Sequence, residues 1–108
     1  MGRYISVNNI PVATTVEASS AYTAQINDRI LADTTSGVFT ITLPLSPLDG
    51  DTIQVIDIAS QFATNVLTVG RNGSNINGAA EDLDLDITGS IVSFVYTNAT
   101  IGWFIASA

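Results

Sequence analysis

Apolar side chains recur at every second position along short runs of this sequence, and turn-forming residues end each run within a few positions. A spacing of two puts those side chains on one face of an extended strand, whereas a helix face needs spacings of three and four. The clearest run is Val38-Phe39-Thr40-Ile41-Thr42-Leu43, with Phe39, Ile41 and Leu43 on one face and the two threonines on the other. Pro44 and Pro47 end it, because proline has no N–H for a central ladder. Thr52 to Asp57, Val66 to Val69 and Leu83 to Ile87 repeat the pattern, and Leu83, Leu85 and Ile87 are expected to face inward. Shorter strands are expected at 3–7, 22–24, 29–33 and 103–105. The run Ile91-Val92-Ser93-Phe94-Val95-Tyr96 is apolar on both faces, so both faces need cover.

The turn signals are Asn27-Asp28, Thr34 to Gly37, Asp49-Gly50-Asp51, Asn72-Gly73, Gly89 and Asn98 to Gly102. Asn-Gly in particular favours a tight hairpin, since both residues tolerate positive φ. Turns spaced roughly eight to twelve residues apart predict an all-β domain, an antiparallel β-sandwich or jelly-roll-like fold. Residues 1–20 lack a core pattern after the run at 3–7. They read as an extended N-terminal docking arm ahead of a knob at 21–108; an added edge strand is the plainer alternative.

Composition narrows the function classes. The 108 residues suffice for one domain and one modest core. Hydrophobic residues make up 46% and charged residues 12%, more apolar surface than one small core can hide, which points to subunit contacts. Ten acidic residues against three arginines and no lysine give a net charge of −7. That charge opposes phosphate backbones and anionic membrane surfaces, so no nucleic-acid partner and no membrane insertion are expected. No secretory leader or apolar run of about 18 residues is visible, so the expectation is a chain made in the cytoplasm and used as made.

The chain contains no His and no Cys. Histidine-based triads, cysteine nucleophiles and the usual zinc, copper and haem ligands are therefore missing. No glycine-rich phosphate loop occurs. The residues call for no cofactor, no metal and no catalytic group, and the chain reads as non-enzymatic. The one acidic group is Glu81, Asp82, Asp84 and Asp86. It reads first as the solvated side of an amphipathic strand. A cation site helped by Asn75 and Asn77, or a carboxylate pair for glycoside hydrolysis, are the other readings. Asp57, between Ile56 and Ile58, is expected to be partly buried and to pair with Arg29 or Arg71. Tyr4, Tyr22, Tyr96 and Trp103 could stack on a sugar; packing in the core or at a subunit interface is the plainer role.

The run Ile30-Leu31-Ala32-Asp33-Thr34-Thr35-Ser36-Gly37-Val38-Phe39-Thr40-Ile41-Thr42-Leu43-Pro44 resembles a module of bacteriophage virion proteins of the tail fibre and tail-spike-like type. The likeness continues through Gly50-Asp51-Thr52, Ile56-Asp57, Asn65 to Gly78, Glu81-Asp82-Leu83, Tyr96 and Gly102-Trp103, so it spans residues 21–105. The resemblance implies a homotrimer of β-sandwiches displayed on a virion. Ile91, Phe94, Tyr96 and Trp103 are the residues assigned to its interface. Such modules commonly sit behind a long shaft, and here only about twenty residues precede the module. That departure favours a compact knob docked through Arg3, Tyr4, Ile5 and Val7 onto other virion proteins of the capsid or tail. The implied roles are a capsid decoration (cement) protein or short tail fibre, or a fibre tip that binds host surface glycan.

Overall fold

The computed structural model describes residues 13–107, and the expected strand at 3–7 lies outside them. The described chain is all-β, with nine strands and no helix: β1 (Thr14–Ala18), β2 (Tyr22–Thr23), β3 (Asp28–Ala32), β4 (Phe39–Thr42), β5 (Thr52–Asp57), β6 (Leu67–Gly70), β7 (Leu83–Leu85), β8 (Ile91–Tyr96) and β9 (Trp103–Ser107). They form a five-stranded sheet, β1-β3-β5-β8-β9, and a four-stranded sheet, β2-β4-β6-β7. Within residues 1–20, read as a docking arm or an added edge strand, Thr14–Ala18 is the edge strand β1, paired with β3.

The pairing corrects the all-antiparallel expectation. β1, β3 and β5 are parallel, as are β2, β4 and β6. Only β5–β8, β8–β9 and β6–β7 are antiparallel. The reason is that the chain visits the two sheets in turn. From β1 to β6 it does not fold back at a turn on the strand it has just left but crosses to the other sheet; only β6–β7 and β8–β9 fold back within one sheet. The next strand of the same sheet therefore runs the same way, one coil further on. Even Asn72-Gly73 makes no tight hairpin: β6 and β7 are joined by the long segment 71–82.

Alternation fixes which side chains meet between the sheets. The five-stranded sheet buries Ile30, Ala32, Ile53, Val55, Val92, Phe94 and Trp103, and the four-stranded sheet buries Ile41, Leu67, Val69 and Leu85. These belong to one core cluster, which Leu43, Phe62 and Ile76 join from the connections. Ile87 departs from its expected inward place: β7 ends at Leu85, and Ile87 lies in the turn beyond, 70% exposed.

Trp103 is enclosed, and its ring meets Tyr96 edge-on at 5.5 Å. Its indole N–H has no acceptor among the described residues. Burying such a ring is worth about 4–6 kcal/mol, against about 1–3 kcal/mol for an orphaned donor, so packing decides its place.

The crossings are tied by hydrogen bonds. At the end where the chain leaves β5, the Asp57 carboxylate accepts from the backbone N–H groups of Gln61 (3.0 Å), Phe62 (3.1 Å) and Gly89 (2.9 Å). Asp57 is buried, as expected, but its partners are backbone amides and not an arginine. At the opposite end, Trp103 N–H donates to Asn75 O (2.8 Å), Asn77 N–H to Trp103 O (2.8 Å) and Gly78 N–H to Ile101 O (2.8 Å). Asn77 Oδ1 also accepts from Ile105 N–H (3.0 Å). Segment 75–78 thus runs along the start of β9 and occupies that edge. The close approach depends on Gly102, with φ +73°, where a Cβ would overlap the Asn75 carbonyl.

Two stability measurements check this account. Gly102→Ala should cost about 3 kcal/mol, left-handed backbone strain plus overlap, whereas Gly73→Ala, at φ +92° with open space around it, should cost roughly 1–2 kcal/mol. Asp57→Asn should cost about 1–3 kcal/mol, because an amide NH₂ must face at least one of the three donors. Denaturant unfolding of the three variants reads all of these.

Candidate interaction surface

The acidic residues do not converge. Asp82 accepts from the Arg71 N–H (2.9 Å), Asp84 accepts from the Thr68 hydroxyl (3.1 Å), and Glu81 and Asp86 are exposed. Among the described residues no three acidic groups come together in a way that could hold a metal ion. Asn75 and Asn77 are spent on Thr100 O and Ile105 N–H. Two further carboxylates serve turns. Asp51 accepts from Leu48 N–H (2.7 Å), and Asp33 accepts from Thr35 N–H (2.9 Å). The Thr35 hydroxyl and N–H hold the Asp33 carboxyl below its usual range.

The aromatic residues offer no stacking platform. Trp103 is fully enclosed and Tyr96 packs against it. Tyr22 gives its hydroxyl to the buried Asp28 (2.7 Å), which also accepts from Gln25 N–H (2.8 Å). This pair closes the first crossing from β2 back to β3. Of the residues assigned to an interface, Phe94 and Trp103 are enclosed by the chain's own core, Tyr96 is half-buried and Ile91 is 49% exposed. Core burial removes Phe94 and Trp103 from any outer surface. Arg3, Tyr4, Ile5 and Val7 lie outside the described residues.

What the structure does bring together is the outer face of the five-stranded sheet. Residues between the inward-facing ones point away from the core. Leu31, Ile56 and Ile91 lie side by side across β3, β5 and β8, with Glu17 of β1 at the end of the row. The next row is Thr15, Arg29, Gln54 and Ser93, and Gln54 Nε2 donates to Ser93 Oγ (3.3 Å). A third row holds Thr52, Val95 and Phe104, the last 49% exposed. Beside the first row lies a groove of about 430 Å³, floored by Ala18, Leu31 and Ile58 and rimmed by Glu17 and Asp33. Arg29 and Glu17 are both exposed.

The outer face of the four-stranded sheet differs. Its rows are Thr23, Thr42 and Gly70, then Thr40, Thr68 and Asp84, with no large apolar side chain. One sheet is polar outside and the other is not. Sequence reasoning identified Ile91 in this surface but missed Leu31, Ile56, Val95 and Phe104. The available signal was the doubled apolar pair in each strand: Ile30-Leu31, Val55-Ile56 and Phe94-Val95.

The Tyr22–Asp28 contact gives a pH prediction. The hydrogen bond to Asp28, then burial, then the Asp28 charge push the Tyr22 hydroxyl from 10.0 up to about 12. The unfolded chain therefore loses this proton first, so the contact's stabilisation is complete below pH 10 and declines as pH rises towards 12. Unfolding curves at intervals from pH 9 to about 12 should show that decline, and Tyr22→Phe should flatten it. No protein-family model and no curated protein matches the chain.

Proposed function

We propose that this chain is a non-enzymatic structural protein of a bacteriophage particle, a homotrimeric β knob displayed on the particle surface. In this reading the two sheets form a sandwich, and the N-terminal segment with Arg3, Tyr4, Ile5 and Val7 docks it onto capsid or tail proteins. A capsid decoration protein or a short tail fibre fits this description. The observation that carries the proposal is the outer face of the five-stranded sheet. Its apolar rows are uncovered by any described residue, while the outer face of the four-stranded sheet is hydroxyl-rich and acidic. A lone subunit gains nothing from exposing Ile91, Phe104 and Ile58; a subunit that meets its copies there does. The virion setting comes from the resemblance of residues 21–105 to tail fibre modules. The net charge of −7 supports a protein partner over nucleic acid.

Sedimentation equilibrium at micromolar concentration should return a mass three times that of the 11.3 kDa chain. A monomer mass would remove the trimer. Deleting residues 1–12 should leave the trimer intact and abolish incorporation into particles; incorporation of the truncated chain would remove the docking role.

A further inference from the structure

We infer that copies of this chain join through the outer face of the five-stranded sheet, with Arg29 of each subunit paired to Glu17 of the partner subunit. The inference deepens the homotrimer reading and rests on it.

Charge selects the face. At a net −7, two copies repel each other, and they approach at least cost where acids are fewest. The four-stranded sheet carries Asp84 on its outer face, with Asp82 and Asp86 beside its edge strand. The five-stranded sheet carries one acid within its outer rows, Glu17, and one cation, Arg29. Of the other arginines, Arg71 is held by the Ser74 carbonyl (3.0 Å), and Arg3 lies outside the described residues.

Register supports the pairing. Arg29 and Glu17 stand in adjacent rows on neighbouring strands, and neither side chain makes a hydrogen bond or ion pair among the described residues. The same face therefore holds both halves of an ion pair, unmatched within the subunit. A ring uses two different parts of one surface on each subunit, so both halves are filled when the ring closes. Alongside them, the row Leu31-Ile56-Ile91 supplies the apolar contact, and the pair between Arg29 and Glu17 of the partner subunit sets orientation. The occupant is a second copy because the face's charges complement themselves. β1 lies at the rim of this face. The opposite edge, β9, is partly occupied by segment 75–78.

Charge reversal tests it on the full chain by sedimentation velocity over a concentration series. Arg29→Glu and Glu17→Arg should each weaken assembly at least about tenfold, and the double variant should return to within about threefold of wild type. Both side chains are exposed, so circular dichroism should be unchanged in all three. Wild-type assembly by both single variants would overturn this interface and leave the homotrimer standing. Weakened single variants without recovery in the folded double variant would overturn the pairing. A monomeric wild type would overturn both the interface and the homotrimer.

Discussion

Alternate passes through two sheets impose one demand above the others: each crossing must hold its ends together without a hairpin to do it. Asp57 meets that demand where two connections converge. It is the last residue of β5, and its two oxygens take three backbone N–H groups, two from the crossing to β6 and one from the turn before β8. Buried carboxylates are costly unless hydrogen-bonded, and charge-assisted bonds to amides are among the stronger ones available. The clamp also seats Phe62, whose N–H it binds and whose ring lies fully buried in the core cluster. β5 and β8 meet across this point, so the step from parallel to antiparallel pairing is anchored by one side chain.

Most strands were legible in the sequence. Alternation placed β3 to β9 to within a few residues, because one face of each had to be apolar. β1 was legible only as the edge-strand alternative for residues 1–20, since Thr14-Thr15-Val16-Glu17-Ala18 buries only Ala18 fully and carries little pattern. Pairing was not legible either. A turn signal records that the chain reverses; it does not record whether the reversed chain lies beside the strand it left or across the core from it. The residues assigned to an interface fall on different faces of the sheet. Reading Ile91 to Tyr96 as apolar on both faces identified the two-sided strand, but alternation within it assigns Phe94 inward and Ile91 outward, and the two cannot share a surface.

The doubled apolar pairs separate the sheets more sharply than any other feature of the sequence. Ile30-Leu31, Val55-Ile56, Ile91-Val92 and Phe94-Val95 all lie in the five-stranded sheet. In the four-stranded sheet, Phe39-Thr40-Ile41-Thr42, Leu67-Thr68-Val69 and Leu83-Asp84-Leu85 alternate strictly. The first pattern belongs to sheets covered on both sides and the second to sheets that face water. A parallel arrangement does not by itself require double cover here, because both sheets have a parallel core and only one is apolar outside. The side chains, not the strand direction, distinguish the apolar outer face from the hydroxyl-rich one.

In the proposed trimer the same division would keep so apolar a chain from indiscriminate association. An apolar face beside an open edge strand is the arrangement most prone to pairing with the wrong neighbour. Here the edge carries Glu17, the adjoining groove is rimmed by Asp33, and the far face is acidic. In the proposed assembly each of these would repel a copy that arrives in the wrong orientation. In the proposed interface Arg29, an exposed cation, would relieve that repulsion at one position on one face. Apolar rows supply the drive to associate, but they are indifferent to register along the strands; a single arginine among acids is not. In the proposed interface specificity would therefore reside in the charges, and the binding energy in the row that lies beside them.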